Sequence, residues 1–289
     1  MKRYSRIAIT GHKGILGSDF HRNLEKDHDL FLIDLPDLDI TDRETIRNAL
    51  LKFSPELVIH CAAYTAVDRA ETEPETAFKV NSLATRYIAE ICLELNAHLI
   101  YFSTDYIFCD SPGKELRREF DFPAPRGVYA CSKFAGEVEI RNILPSHYIV
   151  RTSWLYGKGG KNFVETIIDA GKKRPFLKVV SDQMGCPTFA GDLTAETLRL
   201  AESGIFGTYH ISGNGACSWF EFAKEILTIS GLMTKIYPIS TPEYNSPAPR
   251  PEYSVLDNFA LRNTIGDNMP HWKTSLEKFI GDLKAAGKI

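Results

Sequence analysis

Short apolar runs recur along the first half of the chain without in/out alternation, each followed by a stretch with helical spacing. The runs are Arg6–Thr10, Leu30–Asp34, Leu57–His60, His98–Ser103 and Tyr148–Arg151. The intervening stretches, Gly14–Lys26, Asp42–Phe53, Pro74–Asn96 and Tyr129–Arg141, read as helices. Thr41 or Asp42 suits the cap of the second, and Pro74 falls in the first turn of the third. A strand apolar on both sides belongs in a sheet covered on both faces, and regular alternation with helices argues for parallel strands. Right-handed crossovers then predict an α/β fold, a doubly wound parallel sheet of Rossmann type.

Beyond Trp154 the pattern loosens. Asn162–Lys173, Asp192–Ser203 and Ser218–Ser230 read as helices, the last with a Ser218/Glu221 capping box, and Leu177–Val180 and Gly207–Ile211 read as strands. Prolines follow at 238, 242, 247, 249 and 251. A smaller C-terminal lobe interleaved with the end of the sheet is expected. Residues 1–156, completed by about 189–212, form the dinucleotide-binding part, and 157–188 with 213–289 form the substrate lobe. The long polar loop Asp110–Gly127 is either a lid or a solvated connection.

Composition narrows the function classes. A net charge of -3 leaves no electrostatic footprint for nucleic acid or anionic membrane. No apolar run approaches the ~20 residues of a membrane span, and the basic start Met1–Thr10 lacks the apolar core of a signal peptide. The 6 cysteines are scattered singly, which fits neither a zinc site nor a disulfide framework. A reducing cytoplasm is the expected setting.

The stretch Gly11-His12-Lys13-Gly14-Ile15-Leu16-Gly17 links the first strand to the first helix. Its glycines meet three demands of a dinucleotide loop: a tight turn, close approach of backbone to a pyrophosphate, and packing of helix on strand. The helix N-terminus adds free N–H groups and partial positive charge. Asp34 ends the second strand, where a ribose hydroxyl is expected. An acid there favours NADH, whereas His12 and Lys13 are cations that suit the extra phosphate of NADPH, so the choice stays open. Asp39 and Ile40 are candidates for the adenine end, Asp39 alternatively serving as a turn or helix cap.

Tyr129 and Lys133 lie four residues apart and share a helix face. Hydride reaching a ketone carbon creates alkoxide character on oxygen, which needs a proton and prearranged donors. Tyr129 is the candidate acid, its phenol pKa expected to be lowered by the Lys133 cation. Thr104 ends the fourth strand, where ligands of a parallel sheet collect, and is expected to orient the carbonyl.

Several blocks together carry a resemblance. They are residues 10–17, Cys61-Ala62-Ala63-Tyr64-Thr65-Ala66-Val67-Asp68-Arg69-Ala70-Glu71, Val80-Asn81, Phe102–Phe108, Tyr129 with Lys133, Arg151–Gly157, Asp182–Thr188 and Pro247–Asp257. The chain resembles the extended short-chain dehydrogenase/reductase superfamily, and within it the dTDP-4-dehydrorhamnose reductase family, over essentially its whole length. The resemblance implies that Thr104, Tyr129 and Lys133 form the catalytic triad, with Ala62, Ala63, Tyr64 and Asn81 lining the cofactor. It implies that Val67, Asp68, Thr104, Asp105, Tyr106 and Trp154 surround a sugar nucleotide, with Arg250 reaching its diphosphate. Trp154 serves alternatively as core packing, Arg250 in a surface ion pair, and Asp68 and Glu71 as solvated charges. Some members hold magnesium at a dimer contact through glutamates; this chain has Asp19 and Gly191–Asp192 there, so no metal is expected. A homodimer is a family expectation. The leading reading is an NAD(P)H-dependent reductase of dTDP-4-dehydrorhamnose. Another sugar-nucleotide epimerase or reductase, or a non-catalytic NAD(P)-binding regulatory subunit like that of methionine adenosyltransferase, stands beside it. A dehydratase is disfavoured because Asp105-Tyr106, not an Asp-Glu pair, follows Thr104.

Overall fold

The computed structural model describes residues 4–289. Its first half runs β1 (Arg6–Thr10), α1 (Ile15–Leu24), β2 (Asp29–Ile33), α2 (Arg43–Phe53), β3 (Leu57–His60), the short α3 (Val67–Ala70) and α4 (Pro74–Phe78), α5 (Ala84–Leu95), β4 (His98–Thr104), α6 (Val128–Ile143) and β5 (His147–Thr152). Then come β6 (Leu155–Tyr156), α7 (Phe163–Lys173), β7 (Phe176–Val180), β8 (Met184–Gly185), β9 (Thr188–Phe189), α8 (Ala190–Ser203) and β10 (Gly207–His210). The chain ends with β11 (Cys217–Ser218), α9 (Trp219–Ser230), β12 (Lys235–Ile239), α10 (Thr241–Tyr244), α11 (Phe259–Thr264) and α12 (Trp272–Ala285).

The main sheet has 6 strands in the order β10-β5-β4-β3-β1-β2, all parallel. Chain order reverses between β1 and β3, which opens a crevice at the carboxyl ends of those strands. Thr10 pairs with His60 there, and Thr104 with Thr152 on the next strands over. The missing alternation in the strand sequences has its cause in the two covered faces. Ile7, Ile9, Ile100, Phe102 and Val150 pack with Phe20 of α1 and Leu193 of α8. Ala8, Val58, Leu99, Tyr101 and Ile149 pack on the opposite side with Ile46, Ile88 and Ile140.

A third core lies outside the sheet. Tyr156, Ile168, Phe222, Leu276 and Phe279 from β6, α7, α9 and α12 gather there, and β7 pairs with β12 in parallel. The capping box of α9 forms as expected, Ser218 Oγ accepting from Glu221 N and the Glu221 carboxylate accepting from Ser218 N. α11 packs on β10 and sends Leu261 into the sheet's own core.

Two expectations change. The single helix expected over Pro74–Asn96 is interrupted by a wider, π-type turn at Lys79–Leu83. That widening turns Asn81 inward, 1% exposed, where its amide meets the backbone of Tyr64; such bulges recur where a helix serves a site. The loop Asp110–Gly127 is anchored. Arg117, 6% exposed, exchanges backbone bonds with Val255 and Asp257, and its guanidinium donates to the carbonyls of Ser111, Pro112 and Gly113. Among the described residues no helix is long and apolar enough to cross a membrane, and all 6 cysteines are free.

Candidate active site

A cleft of about 830 Å³ follows the carboxyl ends of β1, β2, β3 and β4. At one end lies the glycine loop. Gly11 has φ +68° and sits so close to the Ala62 backbone that a Cβ would lie 2.6 Å from Ala62 N. A Cβ on Gly17 would lie 2.2 Å from the Gly11 carbonyl oxygen. Gly14 differs: its Cβ would meet only the Gly11 oxygen, at 3.4 Å, so the space before α1 is open. α1 carries no side-chain cap, which leaves its first N–H groups for an anion. Open space before an uncapped helix N-terminus suits an anion such as a pyrophosphate.

Gly11, Gly14, Ile15, Leu16, Gly17, Asp34, Asp39, Ile40, Ala62, Ala63 and Tyr64 all line the cleft. Asp34 accepts from Lys13 N at 2.8 Å and from Leu35 N at 2.8 Å. The Lys13 ammonium donates to the Leu35 carbonyl and to Asp37 Oδ2, so acid and cation share the end of β2. Asp39 closes a local turn through Thr41 N while bordering the cleft. His12 stands aside, its ring stacked near His21. Asn81 sits behind the wall, its carboxamide fastening Tyr64 and donating to Ser132 Oγ.

At the other end Thr104, Tyr129 and Lys133 converge, with Asp105, Tyr106, Val67 and Trp154 beside them. The Thr104 hydroxyl donates to Asp105 Oδ1 and accepts from Tyr106 N, both at 3.2 Å. Tyr129 packs edge-to-face on Tyr106 with centroids 5.5 Å apart. Lys133 lies one turn further along α6, its ammonium 4.0 Å from the Tyr101 ring centroid. The expectation that Lys133 lowers the phenol is corrected here. Burial pushes Tyr129 up to about 12, the Thr104 hydroxyl drawing it back in part, and burial pushes Lys133 down to about 7 against the pull of Glu137. Each group loses water, which disfavours its charged form, and the cation rests on an aromatic face rather than on the phenol. Burial also lifts Asp105 to about 7, against hydrogen bonds from Ser254 at 2.5 Å and from Thr104.

Asp68 and Arg250, expected near the substrate, are joined to each other by a two-pronged contact of 3.0 and 2.9 Å. They lie outside the cleft lining, although Arg250 is close enough for its charge to act on Tyr106. Trp154 borders the cleft with φ +46°. Trp219 stacks on it at 3.6 Å and 7°. A Cβ on Gly185 would lie 2.5 Å from Trp154 Cε2, nearer than to either neighbouring ring atom, which puts Gly185 over the opposite face. Both faces of the indole are therefore covered, and its edge is what the cleft receives.

A family model, RmlD substrate binding domain, matches residues 5–285. The chain belongs to the RmlD family, the dTDP-4-dehydrorhamnose reductases. The RmlD-family chain is 36% identical over 283 residues to the spore coat polysaccharide biosynthesis protein SpsK of Bacillus subtilis, covering 98% of this chain and 99% of that one. A solved dTDP-4-dehydrorhamnose reductase from Clostridium acetobutylicum superposes with a TM-score of 0.94 at 40% identity, covering 96% of this chain and 99% of that one. The same enzyme from Bacillus anthracis, solved in complex with NADP, superposes with a TM-score of 0.93 at 40% identity and the same coverage.

Further residues of this RmlD-family cleft escaped sequence reasoning. Thr76, Lys161 and Trp219 line it. Trp219 is the first residue of a capped helix, which reads as ordinary amphipathic packing. Glu71, for which a solvated charge was the alternative reading, accepts from Val128 N at 2.8 Å at the start of the helix bearing Tyr129; the contact spans 57 residues, so no local pattern signalled it. Asp19 pairs with Arg22 at 2.6 Å, and Asp192 accepts from Ser275 Oγ at 2.6 Å. Among the described residues no cluster of metal-ligating side chains forms.

Proposed function

We propose that this chain reduces the 4-keto group of a deoxy sugar nucleotide with NAD(P)H, most specifically dTDP-4-dehydrorhamnose to dTDP-L-rhamnose, in the biosynthesis of dTDP-rhamnose and cell-surface polysaccharide. One observation carries the reading: a single cleft joins an uncapped glycine-loop helix to Thr104, Tyr129 and Lys133. Gly11, Gly14 and Gly17 would hold the pyrophosphate, Asp34 and Lys13 the adenosine ribose, and Ala62–Tyr64 the wall beside it. When bound, the reduced nicotinamide supplies a hydride to the carbonyl carbon.

The protein's own groups manage the oxygen. Tyr129 carries its proton at neutral pH as any phenol does, and burial raises it further, so it is held more tightly. It releases that proton only to something more basic than phenolate, and a nascent alkoxide meets the condition. Thr104, held by Asp105 and Tyr106 N, orients the carbonyl. Lys133 gains charge when sugar hydroxyls replace the water it has lost. Val67, Asp105, Tyr106 and the Trp154 edge surround the hexose, and Arg250, exchanging Asp68 for phosphate, meets the diphosphate. Residues 1–156 with 189–212 serve the cofactor in this reading, and 157–188 with 213–289 serve the sugar nucleotide. The free cysteines support a cytoplasmic enzyme. A homodimer follows from the family and is checked by sedimentation of the purified protein.

The test is turnover of dTDP-4-dehydrorhamnose, followed by loss of dihydronicotinamide absorbance with NADH and with NADPH. Tyr129→Phe should lower kcat by about 10³-fold and leave the dinucleotide Kd unchanged. Dinucleotide binding without turnover of any keto sugar nucleotide would end the reductase reading in favour of a regulatory subunit.

A further inference from the structure

His60 ends β3 beneath the cleft, 1% exposed and outside its lining. Its Nδ1 lies 2.7 Å from Thr10 Oγ1 and its Nε2 lies 3.1 Å from Thr85 Oγ1. The surrounding bonds fix which nitrogen carries the proton. Thr85 Oγ1 gives its single hydrogen to the Asn81 carbonyl at 2.9 Å, so the contact with Nε2 takes its hydrogen from the ring. Nδ1 is then bare and accepts from the Thr10 hydroxyl. That leaves the Thr10 oxygen to accept from Ala62 N, at 3.2 Å. The opposite tautomer strands one of these buried groups without a partner.

The chain of bonds continues beyond the ring. The Asn81 side chain accepts from Tyr64 N at 2.8 Å and donates to Ser132 Oγ at 2.9 Å. Ser132 Oγ donates to the Tyr129 carbonyl at 2.9 Å. Thr10, His60, Thr85, Asn81 and Ser132 are each at most 1% exposed. One dry, directionally consistent path thus runs from the strand that leads into the glycine loop to the backbone of the candidate proton donor.

We propose that His60, as its neutral Nε2–H tautomer, is a positioning residue that sets the glycine loop and the Ala62–Tyr64 loop at a fixed distance from the helix bearing Tyr129 and Lys133. This rests on the reductase reading for its effect on turnover, but not for its effect on dinucleotide binding. The charged and titratable groups facing the ring favour neutrality. Lys133 is the cation that acts on it, Tyr101 packs alongside at 5.7 Å, and among the described residues no carboxylate acts on the ring. A protonated His60 would also break the bond to Thr10, since both ring nitrogens would then donate.

Thr85→Val is the discriminating variant, because Thr85 lies on α5 away from the cleft and valine preserves its shape. We expect the dinucleotide Kd, read by fluorescence titration with NADPH, to rise about tenfold, equivalent to ~1.4 kcal/mol. The sugar-nucleotide KM should stay within about twofold of wild type, and Thr85→Ser should restore the dinucleotide Kd. His60→Phe should match or exceed the Thr85→Val effect, with circular dichroism confirming that each variant is folded. In ¹⁵N-labelled wild-type protein, the His60 shifts should report a bare Nδ1 and a protonated Nε2, unchanged across neutral pH. A protonated Nδ1, titration of the ring near pH ~6.5, or an unaltered dinucleotide Kd in folded Thr85→Val would overturn the proposal. Wild-type protein that reduced no keto sugar nucleotide would refute the reductase reading alone, and the binding and NMR results would still decide this one.

Discussion

The two ends of the cleft are built differently. The glycine-loop end is mostly backbone: Gly11 against Ala62, Gly17 against the Gly11 carbonyl, and a helix N-terminus facing open space. The Thr104–Tyr129 end rests on side chains brought from distant segments, Ser254 on Asp105 and Trp219 on Trp154, with the Arg250–Asp68 pair just outside it. A backbone site tolerates almost no added atoms but is local in sequence. A side-chain site is spread along the chain and each of its contacts can be traded.

Substitutions should expose that difference. The largest effect is expected at the backbone end. Gly17→Ala drives a Cβ into the Gly11 carbonyl and should cost ~3 kcal/mol of stability, read as a lower denaturation midpoint together with weakened dinucleotide binding. Just outside the other end, Arg250→Lys loses the two-pronged geometry that now engages Asp68. It should raise the sugar-nucleotide KM about tenfold and leave the dinucleotide KM alone. An equal rise in both constants would break the division.

A smaller effect comes through pH. Asp105 is raised by burial to about 7, whereas an unfolded aspartate titrates near ~3.9. Between those values the folded protein keeps a proton that the unfolded chain has released. Its contribution to stability is complete below pH ~4 and is lost as pH rises toward ~7. Asp105→Asn should remove that decline, so denaturant unfolding at about pH 5 and about pH 8 should differ less in the variant than in wild type. The mildest change is expected for Trp219→Ala, which uncovers one face of Trp154. A rise of about threefold in the sugar-nucleotide KM, with altered tryptophan fluorescence, is the outcome to look for.

The same contrast explains what could be read from the chain. Apolar strand runs and glycine spacing report the sheet and the dinucleotide loop because their causes lie within a few residues. The cap of α2, expected at Thr41 or Asp42 and found at Asp42, and the Ser218/Glu221 box were legible for that reason. The interruption at Lys79–Leu83 was not, because Asn81 turns inward only to meet Tyr64, which sits on another loop. Pairing of Arg250 with Asp68, or of Trp219 with Trp154, depends on folds of the chain that no periodicity encodes. The phenol's raised pKa was also out of reach: the four-residue spacing puts Lys133 on the right face, but only the packed interior reveals that its cation settles on Tyr101.

Gly185 has a consequence for how this enzyme could drift toward new sugars. With glycine beneath and Trp219 above, the Trp154 indole presents a thin rim to the cleft. A rim discriminates by the bulk of whatever substituent abuts it, not by the flatness of a stacked ring. An alanine at 185 would therefore unseat the indole and change what the rim admits, from a position outside the cleft lining.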